Sequence, residues 1–308
     1  MERFETLVVI IASIALFVYG LQSFSKEIEG FGSEKLSKWI GKVTAVPLGG
    51  FILGGVLTSV IQSSTLVSSL TVSLVNTGIG NTATAWIVSM QSAFLGPFFI
   101  VLGVIISMIP SRVSVIGKSI FYFGFIFFSL SYISQAMDPI KNDPMLIEIL
   151  SKASNPLMGI IYGIVITVII QSSSVVVGLV VVLIGQGTIG IDIAIPIVVG
   201  ANIGTTSTAL IVSLKLSPIS KLVALSASLF NLIGVIVIFP FFGLLSQLAQ
   251  TFSDDGTLQV AFAFTVSNTF TSVLFLIMLT PTINLLKKHR WYKEAKKLNE
   301  LSGFPEVR

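Results

Sequence analysis

The sequence predicts an all-α polytopic membrane protein with two internal repeats, each holding a re-entrant helical hairpin that carries Gln-Ser-Ser. Three observations predict it. The first is composition: of 308 residues, 53% are hydrophobic and 10% charged, with a mean hydropathy of +0.96. Soluble proteins carry roughly 25% charged residues, so a chain long enough for two soluble domains lacks the charge to cover them. The second is segregation of the charges. Charge-free runs cover 6–25, 43–111, 119–137, 153–191, 193–214, 222–253 and 256–286, and a bilayer-spanning helix needs about 20 apolar residues. The short alternating strands of a membrane β-barrel are absent from the sequence. The third is duplication. Pro47–Ser64 (PLGGFILGGVLTSVIQSS) matches Pro156–Ser173 (PLMGIIYGIVITVIIQSS) at an offset of 109, with 11 of 18 positions identical and no gap. Such repeats are common in transporters, whose substrate site lies where the halves meet.

The elements follow in order. Thr6–Ser25 reads as a helix of the mature chain; its flank Glu2-Arg3-Phe4-Glu5 is not basic, unlike that of a signal peptide. A charged, amphipathic loop at 26–42 precedes hairpin 46–76, which breaks at Gln62. Next comes 82–109, interrupted at Gly96-Pro97. The second copy has helix 117–135, loop 136–154, hairpin 155–185 with its break at Gln171, and helix 191–214, interrupted near Gly204. Helices 219–243 and 258–285 precede the tail. The corresponding boundaries are 1–110 and 111–214 for the repeats, 215–286 for the two further helices and 287–308 for the tail. Each hairpin arm has about 13–16 residues, too few to cross about 30 Å of hydrocarbon. Re-entrant arms are expected, since irregular backbone at membrane depth must be buried in protein or line a cavity.

The net charge of +4 comes largely from Lys287, Lys288, Arg290, Lys293, Lys296 and Lys297. Cations just after a hydrophobic helix are a cytoplasmic anchor, not a nucleic-acid patch. The C-terminus is thus expected in the cytoplasm, Asp254 and Asp255 outside, and Lys215–Lys221 inside. Whether the halves are inverted turns on whether 82–109 crosses once or twice. The chain has no cysteine, which removes disulfides, thiolate metal sites and thiol catalysis.

The chemistry is polar and uncharged. Copy one carries Thr58 and Gln62-Ser63-Ser64-Thr65; copy two carries Thr167 and Gln171-Ser172-Ser173-Ser174. Only copy two is followed by Gly200-Ala201-Asn202-Ile203-Gly204-Thr205-Thr206-Ser207-Thr208. A break between half-helices exposes backbone N–H groups at a helix N-terminus, which favours an anion. Hydroxyls donate to anion oxygens or offer lone pairs to a cation, and freed carbonyls with an Asn side chain suit Na⁺. One site can therefore hold an anion and Na⁺ without a buried Lys or Arg. The competing reading is that Ser and Thr bond back to the carbonyl four residues earlier or ease helix packing. It holds well for a single serine and poorly for Gln-Ser-Ser repeated in register.

The two Gln-Ser-Ser hairpins followed by GANIGTTSTA at 200–209 resemble the type II sodium/phosphate cotransporter family, over roughly residues 10–285. The resemblance implies Na⁺-driven transport of inorganic phosphate, with Na⁺ as coupling ion and no other cofactor. It implies phosphate contacts from Gln62, Ser63, Ser64, Thr65, Gln171, Ser172, Ser173 and Ser174, Thr65 standing for a third serine. It implies Na⁺ contacts from Asn202, Thr205, Thr206 and Thr208, to which Asn231 is added as a polar residue in an apolar helix. The sequence departs from the family in four places. Ala93-Phe94-Leu95-Gly96-Pro97 stands where copy one would carry its own NIGTT, with Gln91 and Ser92 as partial substitutes. Ala227 and Phe264 replace a histidine in ALSASLFN (224–231) and AFAFTVSN (261–268). The chain reads as a short member without the PhoU-like domain of many bacterial relatives.

Other polar residues have ordinary readings beside the functional one. Asp192 reads as a helix-start acid or an ion ligand, and His289 as a solvated tail residue. Asn231 and Asn268 read as interhelical hydrogen-bonders or as cation or substrate contacts. Phe-rich 121–128 is expected to face lipid or a partner subunit. A channel lacks its filter or charge ring, and an intramembrane enzyme lacks a base, metal or activated nucleophile. A non-transporting membrane subunit remains open because copy one is altered. The expected setting is the plasma (inner) membrane, with phosphate, Na⁺ and the bilayer as partners and a homodimer compatible with such a carrier.

Overall fold

The computed structural model describes residues 2–29, 94–109, 113–140, 143–214 and 218–294, together with Ile52, Ala85, Trp86, Ser89 and Lys297. Hairpin 46–76 of the first copy lies outside the described residues, apart from Ile52. All the described elements are helical: α1 (Glu2–Glu29), α2 (Leu95–Ser107), α3 (Val113–Met137), α4 (Pro144–Lys152), α5 (Pro156–Ile170), α6 (Ser173–Gly185), α7 (Ile191–Ser213), α8 (Pro218–Ile238), α9 (Phe242–Phe252), α10 (Gly256–Ile277) and α11 (Leu279–Lys287). Four stretches among them are long and apolar enough to cross a bilayer: Phe4–Phe24, Ser114–Met137, Ala224–Phe252 and Gly256–Ile277. The protein is an all-α polytopic bundle of the membrane type.

Local chemistry explains the helix starts. Asp143, Asn155 and Asp255 each accept a hydrogen bond from the backbone N–H two residues on, at 2.8, 3.0 and 2.8 Å. Pro144 and Pro156 take the first helical position, where a missing N–H costs nothing. This corrects one expectation. Within 136–154, expected to be a loop, residues 144–152 form α4, started by Asp143-Pro144 and supported by the Glu148–Lys152 pair at 2.9 Å. The span through Ala224–Phe252 continues past the expected end at 243, through a 3₁₀ turn at Phe239–Phe241. Pro97 falls in the first turn of α2; most of the stretch before Phe94, on which the expected interruption at Gly96-Pro97 also depends, lies outside the described residues.

Two helix pairs pack backbone to backbone. Gly159, Gly163 and Thr167 of α5 face Pro196, Gly200 and Gly204 of α7. A Cβ on Gly163 would lie 2.0 Å from the Ile197 carbonyl oxygen, and one on Gly200 would lie 2.3 Å from that of Ile160. The residue pairs ascend together, so α5 and α7 run parallel. Such small-residue seams drive helix association where lipid is as apolar as the side chains. The second pair is α2 against α3, where Gly96, Gly103, Gly117 and Gly124 alternate across the seam. Here the Phe-rich segment departs from its expected lipid-facing role. Phe123 meets Phe24, Phe99 and Phe127 ring to ring, and Ile126 and Phe127 are buried, so the segment fills the junction of α1, α2 and α3.

The centre of the bundle is α6, with Val175, Val176, Val177, Val181 and Val182 buried. A helix apolar all round belongs inside. Phe17 of α1 and Leu130 of α3 close over Gly178. On the far side, Trp86 donates to the Thr265 hydroxyl at 2.8 Å, tying a first-copy residue to α10.

Candidate functional site

The chain turns between α5 and α6 at two residues. Gln171 adopts a left-handed conformation (φ 58°, ψ 27°), the one non-glycine residue with positive φ among the described residues. A non-glycine residue there costs about 1–2 kcal/mol, and such outliers cluster at functional sites. Its N–H donates to the Thr167 carbonyl at 2.6 Å, ending α5. Ser172 is extended and leads into α6 without a capping bond from its own side chain. Ser172, Ser173 and Ser174 are half-buried and Gln171 is exposed. The arrangement gathers three hydroxyls at the N-terminus of a buried helix, where first-turn N–H groups have no intrahelical acceptor. Gln62, Ser63, Ser64 and Thr65, the first-copy counterparts, lie outside the described residues.

Helix α7 is continuous through Gly204, which corrects the expected interruption there. The glycine serves close approach: a Cβ would lie 2.5 Å from the Thr167 Cβ. Carrying the parallel register four residues on sets Gln171 level with Thr208. Asn202 then lies about 9 Å from that level along the axis at 1.5 Å per residue.

Three asparagines meet behind this seam. The Asn231 side-chain N–H of α8 donates to the Asn202 backbone carbonyl at 3.1 Å. The Asn202 side-chain N–H donates to Oδ1 of Asn268 on α10 at 2.9 Å. Asn268 in turn donates to the Phe264 carbonyl at 2.8 Å. A narrow cavity of about 10 Å³ lies beside them, lined by Asn202, Asn231, Asn268, Ser267 and Thr271 among others. Oδ1 of Asn202, on a residue only 8% exposed, is buried without a hydrogen-bond donor.

The structure thus joins two expected cation residues, Asn202 and Asn231, and adds Asn268. Thr206 is buried, and its hydroxyl donates back to the Asn202 and Ile203 carbonyls at 3.3 and 3.1 Å. Thr205 donates to the Ala201 carbonyl at 3.3 Å; neither threonine lines the cavity. Thr208 belongs to the same helix, one turn beyond Gly204. Ser267 and Thr271 were missed as cavity residues, although their i, i+4 spacing with Asn268 between them places all three on one helical face. Asp192 stands in the first turn of α7 and accepts a hydrogen bond from Ser246 of α9, as a helix-start acid does. His289 packs against Trp291 outside the apolar spans.

Comparison with known proteins adds relatives to this geometry. YqeW of Bacillus subtilis (strain 168), an uncharacterised protein, is 30% identical over 162 residues, which is 52% of this chain and 53% of that protein. The human sodium-dependent phosphate transport protein 2B is 38% identical over 104 residues, 32% of this chain and 15% of the relative. YjbB of Escherichia coli (strain K12), named for inorganic phosphate export, is 29% identical over 172 residues, 55% of this chain and 32% of the relative. The chain therefore spans about half or less of the length of these curated relatives. No solved structure matches it. The model of the Na⁺/Pi-cotransporter family, however, matches residues 16–79, 77–135 and 141–264. With most of its length matched, this chain belongs to the Na⁺/Pi-cotransporter family.

Proposed function

We propose that the protein is a secondary active transporter that couples Na⁺ to inorganic phosphate across the plasma (inner) membrane, with its C-terminus in the cytoplasm. The observation that carries the reading is the pairing, on one parallel helix seam, of a donor-rich break with an acceptor-rich asparagine cluster. Gln171, Ser172, Ser173 and Ser174 receive phosphate at the N-terminus of α6, and Gln62, Ser63, Ser64 and Thr65 complete the site from the first copy. Na⁺ binds around Asn202 and Asn231, with Thr205, Thr206 and Thr208 lining its path. The 15 and 13 residues of α5 and α6 reach about 20 Å each at 1.5 Å per residue. That is short of about 30 Å of hydrocarbon, which supports a re-entrant hairpin.

The separation also supports coupling. Unit charges roughly 10 Å apart at an effective dielectric of about 20 attract by about 1.5–2 kcal/mol, within the 1–3 kcal/mol of ordinary allosteric coupling. Na⁺ should then tighten phosphate, and phosphate Na⁺, about tenfold. Transport follows by movement of the hairpin-bearing core against α1 and α3, which pack on one another through Gly20, Tyr19 and Phe125.

Labelled phosphate uptake into proteoliposomes tests this, with inward and outward gradients of Na⁺, K⁺ or H⁺ in parallel. Na⁺-driven accumulation sustains the symporter, and the outward arm reads export. A second reading is favoured by Ala93, which stands where the first copy would hold an asparagine. It is a non-transporting subunit that binds phosphate with zero flux, or a carrier of another small anion. No flux under any gradient from folded protein would leave that reading in place.

A further inference from the structure

We infer that the coupling-ion site is the cavity between α7, α8 and α10, and that Asn268 and Thr271 of α10 are ligands for one monovalent cation there. The inference rests on the Na⁺-coupled reading and locates its ion away from Thr205 and Thr206. The argument turns on which way the hydrogen bonds point. Asn268 donates to the Phe264 carbonyl, a backbone acceptor that cannot exchange roles, so its Oδ1 must face Asn202. Asn202 answers with its N–H, which turns its own Oδ1 to a position where no donor among the described residues reaches it. The asparagine chain is thereby fixed in direction and ends on a bare, buried oxygen.

The hydroxyls point the same way. Ser267 donates to the Phe264 carbonyl at 3.0 Å, and Thr271 to the Ser267 carbonyl at 2.8 Å. Each has its proton engaged with its own helix, which leaves only lone pairs for the cavity. A wall whose hydroxyl protons are spent and whose Asn202 Oδ1 has no donor among the described residues offers lone pairs to a cation. Among the described residues no carboxylate lines the cavity, so it lacks the charged ligands that divalent cations draw on. At about 10 Å³ it admits a body of about the size of one water.

The test is thermal unfolding of the purified full chain in detergent. Na⁺ is titrated against choline and, separately, K⁺ at constant ionic strength, with and without phosphate. Wild type, Asn268→Ala and the near-isosteric Thr271→Val are compared, each against its own Na⁺-free melt, so that a general loss of stability cancels. A ligand that binds only the folded state raises the melting temperature with its concentration. The expected result is a Na⁺-specific rise in wild type, with both variants needing about tenfold or more Na⁺ to reach the same rise, the loss of one ligand. The same Na⁺ concentration giving the same rise in wild type and both variants would overturn the inference while leaving the symporter to be judged by uptake. Absence of any Na⁺-specific rise in wild type, with or without phosphate, would overturn it too and reduce the cavity to a water site. Should the rise be present and lost in the variants while wild-type proteoliposomes take up no phosphate, the cation site stands and the phosphate reading falls.

Discussion

The two copies of the repeat share the side of the hairpin that carries small residues but not the helix that faces it. Gly159, Gly163 and Thr167 of copy two match Gly50, Gly54 and Thr58 of copy one at the constant offset. The facing stripe of Pro196, Gly200 and Gly204 matches Ile87, Gln91 and Leu95. Asn202 matches Ala93, and Thr206 matches Pro97. In copy two the third segment, α7, lies parallel on its own hairpin with backbones in contact. The described part of that segment in copy one, α2, packs on α3, through glycines seven residues apart. Duplication supplied two equivalent frames. The residues that build the close seam and the asparagine beside it in copy two are not repeated in copy one. A polar residue inside a membrane is costly unless its partners are present, so loss of the asparagine and loss of the facing glycines from the sequence belong together.

The largest effect expected from this comparison is at the seam. Gly163→Val or Gly200→Val drives a side chain into backbone and should cost about 3 kcal/mol or more, read as loss of monodisperse protein and of a cooperative melt. Gly54→Val should cost less, because Ile87, Gln91 and Leu95 stand where copy two carries the small residues of its facing stripe. Equal losses would mean that copy one is packed as tightly as copy two.

Next is Asn202→Ala, which leaves Asn268 without its donor and removes the bare oxygen. Destabilisation of about 1–3 kcal/mol and loss of Na⁺ dependence in uptake are expected. Ala93→Asn should not add a second Na⁺, as judged by an unchanged Hill coefficient, because copy one lacks the facing glycines. Ser172→Ala and Ser63→Ala come third. Each removes one hydroxyl donor to a charged ligand and should raise the phosphate concentration for half-maximal uptake about tenfold. A normal Ser63→Ala would confine the substrate site to copy two. Smallest is Gln171→Gly, which relieves the left-handed backbone at a cost to phosphate contact. The melt should rise by about 1 kcal/mol as affinity falls, and a lower melt would mean that the Gln171 side chain holds the turn.

Much of this was legible from the residues. Charge-free runs marked the apolar helices, and Pro156 and Gln171 marked the ends of α5 to within a residue, since proline starts and breaks stop helices by local geometry. Where local geometry does not decide, the reading failed. Gly204 looks like a break because glycine weakens a helix in isolation. Its place opposite Thr167 keeps α7 whole, and only the neighbouring helix reveals that. Residues 144–152 looked like loop because the segment is short and charged, yet Asp143-Pro144 was a start signal available in the sequence. Asn268 was visible as a polar residue in an apolar helix, but whether it served packing or an ion was open.

From the sequence alone follow the membrane setting, the duplication, the helical break at Gln171 and the chemistry of uncharged oxygen and nitrogen in place of buried charge. All of these depend on composition and on contacts a few residues apart. Tertiary structure alone decided that Asn202, Asn231 and Asn268, spread over 66 residues, form one hydrogen-bonded chain with a fixed direction. Direction is a property of which carbonyl each amide meets, and those carbonyls sit on other helices. It is this direction that leaves Oδ1 of Asn202 buried without a donor among the described residues.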